Sequence, residues 1–192
     1  SSEHSFKMLA KELSEFCSSG SLSEEGIREI IERHGQPNNI HGDEMFLSAC
    51  RNERVNEGIL RCLIEYFPDA VRATDEDGLS PLHEACHNKS KSMTRGIIQL
   101  FIDAAPDSVR SVDKQGLMPL HCFCAKKRMN ETAAIQILEL FIEKCPEAVR
   151  HADNDIDLPI HIAISRAKSP EFCRVLIEAY PESGQIADAR GM

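Results

Sequence analysis

The stretch His83-Glu84-Ala85-Cys86-His87 has the spacing of a metal hydrolase. On a helix, histidines four apart share one face and hold zinc, with the glutamate beside them as general base. Position argues against that chemistry. His83 has counterparts at His121 and His161, neither with a second histidine four residues on. Glu84 has Cys122 and Ile162 in its place, so the would-be base belongs to no shared framework. Zinc hydrolysis through His83, Glu84 and His87 therefore ranks last among the readings. No Ser-His-Asp set follows from any spacing rule, and the ten glycines are scattered instead of forming a phosphate-cradling loop at a strand–helix junction. The expectation is a chain with no catalytic residue, no cofactor and no metal.

Eight cysteines could staple a small secreted domain, but their placement points elsewhere. Cys50 and Cys86 hold one repeated position, while Cys62, Cys145 and Cys173 lie in or beside apolar helical patterns. A thiol on a buried helix face behaves as a small hydrophobe. No Cys-x-x-Cys pair occurs, so reduced thiols in an intracellular protein, cytoplasmic or nuclear, are expected. The opening residues show no basic region followed by an apolar stretch, so no signal peptide is expected. No apolar run approaches the ~18 residues of a membrane span. A net charge of −9 argues against a nucleic-acid partner, which needs a basic footprint. The chain lacks an initiator methionine, and a piece of a longer protein is expected.

One phrase recurs three times: Ser80-Pro-Leu-His, Met118-Pro-Leu-His and Leu158-Pro-Ile-His. Each follows a second phrase, Pro68-Asp-Ala-Val-Arg72, Pro106-Asp-Ser-Val-Arg110 or Pro146-Glu-Ala-Val-Arg150. Between them stand Asp75 to Gly78, Asp113 to Gly116 and Asp153 to Ile156. The interval from Pro68 to Cys86, from Pro106 to Cys124 and from Pro146 to Ile164 is 18 residues each time. All length variation falls after the Pro-Leu-His segment, and insertions collect in loops, where they cost little. Each unit is thus a fixed connector and first helix, a variable turn, and a second helix. Degenerate copies appear at Phe46-Leu-Ser-Ala-Cys50 and from Pro181 through Asp188 to Gly191.

These units must be positioned by helices. The spacing predicts first helices near 43–51, 81–88, 119–127 and 159–166, and second helices near 57–66, 93–104, 131–144 and 170–180. Pro81, Pro119 and Pro159 suit a first helical turn, where no amide hydrogen is needed. Second helices carry stripes such as Ile97, Ile98, Phe101 and Ile102. The connectors read as an extended arm, a tight turn at Gly78 or Gly116, and a return. A leading helical pair, 5–17 and one starting near Ser21 or Ser23, reads as a polar cap, since arrays need one at their ends.

The segment Gly78-Leu-Ser-Pro-Leu-His-Glu-Ala85 resembles the Gly-x-Thr-Pro-Leu-His-x-Ala signature of ankyrin repeats. The resemblance covers roughly residues 43–192, with a period of 36 to 40 against the usual ~33. It implies an all-α fold, an α-solenoid of helix–turn–helix pairs joined by β-hairpin-like loops. The domain reading is a cap over 1–40 and a repeat domain over 41–192, with four helix pairs and a terminal connector. It also implies that His83, His121 and His161 bond to connector backbone. The family's threonine is Ser80, Met118 or Leu158, so a hydroxyl contact to the histidine is expected only at Ser80. Ile156 stands where the turn glycine belongs, and a β-branched residue at positive φ is strained, so a different turn shape is expected there.

Charge is segregated. Connector turns carry Asp75-Glu76-Asp77, Asp113, Asp153, Asp155, Asp157 and Asp188. Helix–helix turns carry Arg51, Arg54, Lys89, Lys91, Arg95, Lys126-Lys127-Arg128, Arg166 and Lys168. Arg72, Arg110 and Arg150 are expected to pair with Asp75, Asp113 and Asp153 across each arm. The resemblance implies a protein-interaction module or scaffold, monomeric, binding a partner along fingertips and first helices. The candidate surface is Asp75, Glu76, Asp77, Glu84, His87, Asp113, Lys114, Gln115, Asp153, Asn154 and Asp155, and acidic tips favour a basic protein segment. The alternative is a regulatory domain of a larger enzyme or channel. A weaker variant has Lys126, Lys127 and Arg128 bind an anionic lipid or nucleic acid.

Overall fold

Proline and a buried histidine start each of three short helices. Pro81, Pro119 and Pro159 occupy the first turn, and the histidine two residues on turns its Nδ1 back to accept from the backbone N–H before the proline. Ser80, Met118 and Leu158 donate those bonds, each at 3.1 Å. The imidazole thus satisfies the capping residue's own amide, which a Glu or Gln does in an ordinary capping box. Second helices start differently, on Asn56, Thr94, Asn130 and Ser169, whose side chains accept from Ile59, Ile97, Ala133 and Phe172 N–H.

The computed structural model describes residues 2–35, 37, 40–90, 93–186 and 191. The fold is all-α, and among the described residues no β-strand forms. The helices are α1 (Ser2–Cys17), α2 (Glu24–His34), α3 (Asp43–Arg51), α4 (Glu57–Tyr66), α5 (Pro81–His87), α6 (Arg95–Ala104), α7 (Pro119–Ala125), α8 (Glu131–Lys144), α9 (Pro159–Ser165) and α10 (Pro170–Ala179). They lie in two rows. In one, α1, α3, α5, α7 and α9 each pack on the next; in the other, α2, α4, α6, α8 and α10 do the same. In the first row, α5 is covered by α3 and α7 on either side and by the short turn Pro68–Arg72. That is why Pro81 through Cys86 are all buried. Second-row helices bury one stripe, such as Ile97, Ile98, Phe101 and Ile102 of α6. Phenylalanines bridge the rows: Phe46 meets Phe101 edge-on at 6.3 Å, and Phe123 lies 5.6 Å from Phe141.

The leading pair packs onto the same rows through Leu9, Leu13 and Cys17 of α1 and Ile27, Ile30 and Ile31 of α2. Glu12 ties the two helices together by pairing with Arg33 and His34. Gly35 ends α2 at φ 92°, a conformation that favours glycine.

Three expectations about the connectors are corrected. The Pro-x-x-Val-Arg phrase is not an extended arm. Pro68–Arg72, Pro106–Arg110, Pro146–Arg150 and Pro181–Gln185 are turns of 3-10 helix, which bury Val71, Val109 and Val149 under the rows. Nor are the loops that follow β-hairpins. Each is a tight turn closed by a bond from Asp75, Asp113 or Asp153 N–H to Leu79, Leu117 or Asp157 C=O. The third turn also keeps the shape of the others. Ile156 sits at φ 67°, close to Gly78 at 80° and Gly116 at 79°, and its N–H reaches Asp153 C=O as Gly116 N–H reaches Asp113 C=O. The turn bonds and the neighbouring loop outweigh the strain of one β-branched residue, whose side chain stands 62 % exposed.

Candidate functional site

The loops preceding α5, α7 and α9 project from the N-terminal ends of the first-row helices, and their own backbone builds them. In each, the leading aspartate points inward. Asp75 Oδ1 accepts from Asp77 and Leu79 N–H, both at 2.9 Å. Asp113 Oδ1 accepts from Gln115 and Leu117 N–H, and Asp153 Oδ1 from Asp155 and Asp157 N–H. This is an Asx turn repeated three times. The two N–H bonds, with Arg51 beside them, outweigh burial and lower the Asp75 pKa below the usual carboxylate range. Asp113 is buried. Asp75, Asp113 and Asp153 are therefore turn builders, with that oxygen already spent.

The next two residues of each loop face outward: Glu76 and Asp77, Lys114 and Gln115, Asn154 and Asp155 are all exposed. Backbone bonds join loop to loop. Lys114 N–H donates to Asp77 C=O at 2.9 Å, and Asn154 N–H to Gln115 C=O at 3.0 Å. Asn154 Nδ2 adds a bond to Lys114 C=O. These six side chains form one row in fixed register, and the exposed charge along it is three acids and one lysine.

The remaining two candidates are separated from that row. Glu84 is buried on α5, where Arg51 of α3 grips it at 2.9 Å while also reaching Asp75 at 3.0 Å. His87, the last residue of α5, lies at the far end of that helix and lines a different cleft. The fingertip arginines also depart from expectation. Arg110 pairs with Glu147 of the next connector at 2.6 Å, not with Asp113, and Arg150 lies over the Tyr180 ring. They join successive connectors instead of closing each arm.

The hydrolase spacing is dismantled by hydrogen bonds. His83 Nδ1 accepts from Ser80 N–H, with the Ser80 hydroxyl 2.8 Å away, and its Nε2 donates to Leu117 C=O at 2.9 Å. No lone pair is left for a metal. His121 and His161 repeat the arrangement, with Nε2 bonded to His151 and Ile186 C=O. Each of these bonds crosses to the following connector. Burial lowers the His83 pKa, and it pushes His121 down to about 4, helped by the nearby His151 ring. Among the described residues no cluster of three His, Cys, Asp or Glu side chains is arranged to hold a metal. The eight cysteines are free, and burial raises their pKa.

The opposite edge, at the C-terminal ends of the first-row helices, holds a set of residues that sequence reasoning missed. Asn52 Nδ2 donates to Cys17 and Ser19 C=O, and Asn88 Nδ2 to Cys50 and Asn52 C=O. Lys126 Nζ continues to Asn88 C=O, and Lys168 Nζ to Lys126 C=O. Each side chain reaches back one unit to carbonyls left without an intrahelical partner at a helix end. Burial lowers the pKa of both lysines. The signal was present: Asn52, Asn88 and Lys126 each stand directly after a first helix. Lys126 thus belongs to the interior, whereas Lys127 and Arg128 face solvent. Lys91 and Asp188 lie outside the described residues.

No family model matches this chain, and no curated protein does. Among the described residues, no helix is long and apolar enough to cross a membrane.

Proposed function

We propose that this chain is an α-solenoid of ankyrin type that serves as a protein-interaction module. In this reading residues 1–40 cap the array, 41–192 form its repeats, and a partner lies along the fingertip row and the first-row helices. The observation that carries the reading is the loop-to-loop register. Lys114 to Asp77 and Asn154 to Gln115 bonds hold three exposed tips as a single strip before any partner arrives. A preorganised strip loses little ordering entropy on binding. With Glu76, Asp77 and Asp155 against Lys114, the strip favours a protein segment of net positive charge, and its field speeds encounter.

The turn-building aspartates are poor choices for a test, since neutralising Asp75, Asp113 or Asp153 would unmake the turns. The informative variant is Glu76→Gln, Asp77→Asn and Asp155→Asn together. Quantitative capture from source lysate compares it with the wild type and with a control neutralising Glu53, Glu139 and Glu182, exposed acids elsewhere. A partner held by wild type and control but lost by the tip variant supports the reading. A partner held equally by all three refutes the fingertip site.

A further inference from the structure

Between the C-terminal ends of α5 and α7 the surface dips into a cleft of about 470 Å³. Lys89, Lys127, Arg128 and Arg166 line it, over a floor that includes Cys122 and Ala125. The four cations are exposed, and among the described residues no acidic side chain lines the cleft with them. Five arginines elsewhere, Arg28, Arg33, Arg51, Arg110 and Arg174, each grip a carboxylate. A chain of net charge −9 has acids to spare, yet among the described residues none pairs with these four cations. Favourable interaction with the helix C-termini accounts for some positive charge at this edge. It does not account for cations from three successive units converging on one concave site.

We propose that this cleft binds a phosphorylated peptide segment. The charge argues for phosphate. One carboxylate would leave most of the four cations uncompensated, whereas a phosphate group carries close to two charges and three strong acceptor oxygens. Arg128 and Arg166 supply planar forks that bond oxyanions in pairs, and Lys89 and Lys127 add point charges. The cleft is concave and local, which suits a single modified residue and its neighbours. A long phosphate backbone or a membrane surface needs an extended basic face, and the acidic tips of this chain repel one. Arg128 holds φ 60°, a left-handed turn that fixes where its side chain leaves the backbone.

The site shares no residue with the fingertip strip, so its test stands apart from that of the interaction module. The probe is an immobilised degenerate peptide library centred on phosphoserine and phosphothreonine, beside unphosphorylated and glutamate-centred twins. The full chain is expected to be retained at least about tenfold more on the phosphorylated library than on the unphosphorylated one. The variant Lys127→Gln, Arg128→Asn and Arg166→Gln should lose that retention, Asn being chosen because it tolerates positive φ. Lys7→Gln, Lys11→Gln and Arg61→Gln together, which remove the same charge elsewhere, should keep it. Thermal melts of both variants confirm that the surfaces tested are folded ones. Equal retention on phosphorylated and unphosphorylated libraries overturns the proposal, as does undiminished retention of the cleft variant. Stronger retention on the glutamate library, or sedimentation with phosphoinositide vesicles in place of library binding, overturns it in favour of another anion.

Discussion

Acidification from pH 7 to pH 5 is expected to destabilise this chain through His121. The ring is fully buried, accepts from Met118 N–H on one side and donates to His151 C=O on the other. Accepting from Met118 N–H requires an unprotonated Nδ1, so the ring is neutral with its proton on Nε2, and protonation would break that bond. Burial, then the His151 ring 5.7 Å away, lowers its pKa from 6.5 to about 4, against a smaller upward pull from Asp153. Between those values the unfolded chain binds a proton that the folded chain refuses, so stability falls as pH drops through 6.5 and levels off near 4. Integrating the two titrations between pH 7 and pH 5 gives a loss of about 2 kcal/mol from this one group. The assay is urea unfolding at both pH values for the wild type and for His121→Asn, whose amide oxygen can still accept from Met118 N–H. Other carboxylates and histidines titrate in both proteins, so the difference of differences isolates His121. The wild type should lose about 2 kcal/mol more than the variant over that interval. An equal loss in the two would refute the claim that the folded state holds this ring neutral.

Turn strain gives a pair of opposed expectations. Ile156→Gly should raise stability by up to about 1 kcal/mol, relief of the left-handed conformation exceeding the backbone entropy that glycine adds. Gly116→Ala should lower it by about 1–3 kcal/mol, since the new Cβ would meet Asn154 N at 2.8 Å as well as positive φ; thermal melts read both. Asn88→Ala removes two donors from Cys50 and Asn52 C=O and should cost about 2–4 kcal/mol in urea unfolding, with a cost near zero counting against the rear ladder. In native conditions an aromatic disulfide reagent should react fast with no more than one thiol, half-buried Cys173, and with all eight in denaturant.

The helices were legible in the chain because their signals are local. Proline at a first turn, the repeat spacing and four-residue apolar stripes placed all ten described helices within a few residues. The connectors were less legible. Pro-x-x-Val-Arg carries no periodicity of its own, and its 3-10 turn forms because valine must reach the core beneath it. The candidate strip was half legible. Asp75, Asp113 and Asp153 share their spacing with the exposed residues beside them, and only the fold separates the aspartates that close turns from Glu76, Asp77 and Asp155, which face outward. Charge at the far edge reads as one cluster in the sequence, yet Arg51 turns to Glu84 and Asp75, and Lys126 and Lys168 turn inward because carbonyls of the preceding unit wait there.

The loop-to-loop bonds and the rear ladder lie at opposite ends of the short first-row helices, each about 10 Å long. Mechanically, the span from α5 to α9 is laced along both margins with a packed row between them as its spine. Bending a joint toward either margin must break short-ranged polar bonds on the other, while a small rotation about the spine stretches both margins little. The compliant motion of such a structure is torsion distributed over all its joints, and a load applied at one end is passed along the whole length instead of opening a single hinge.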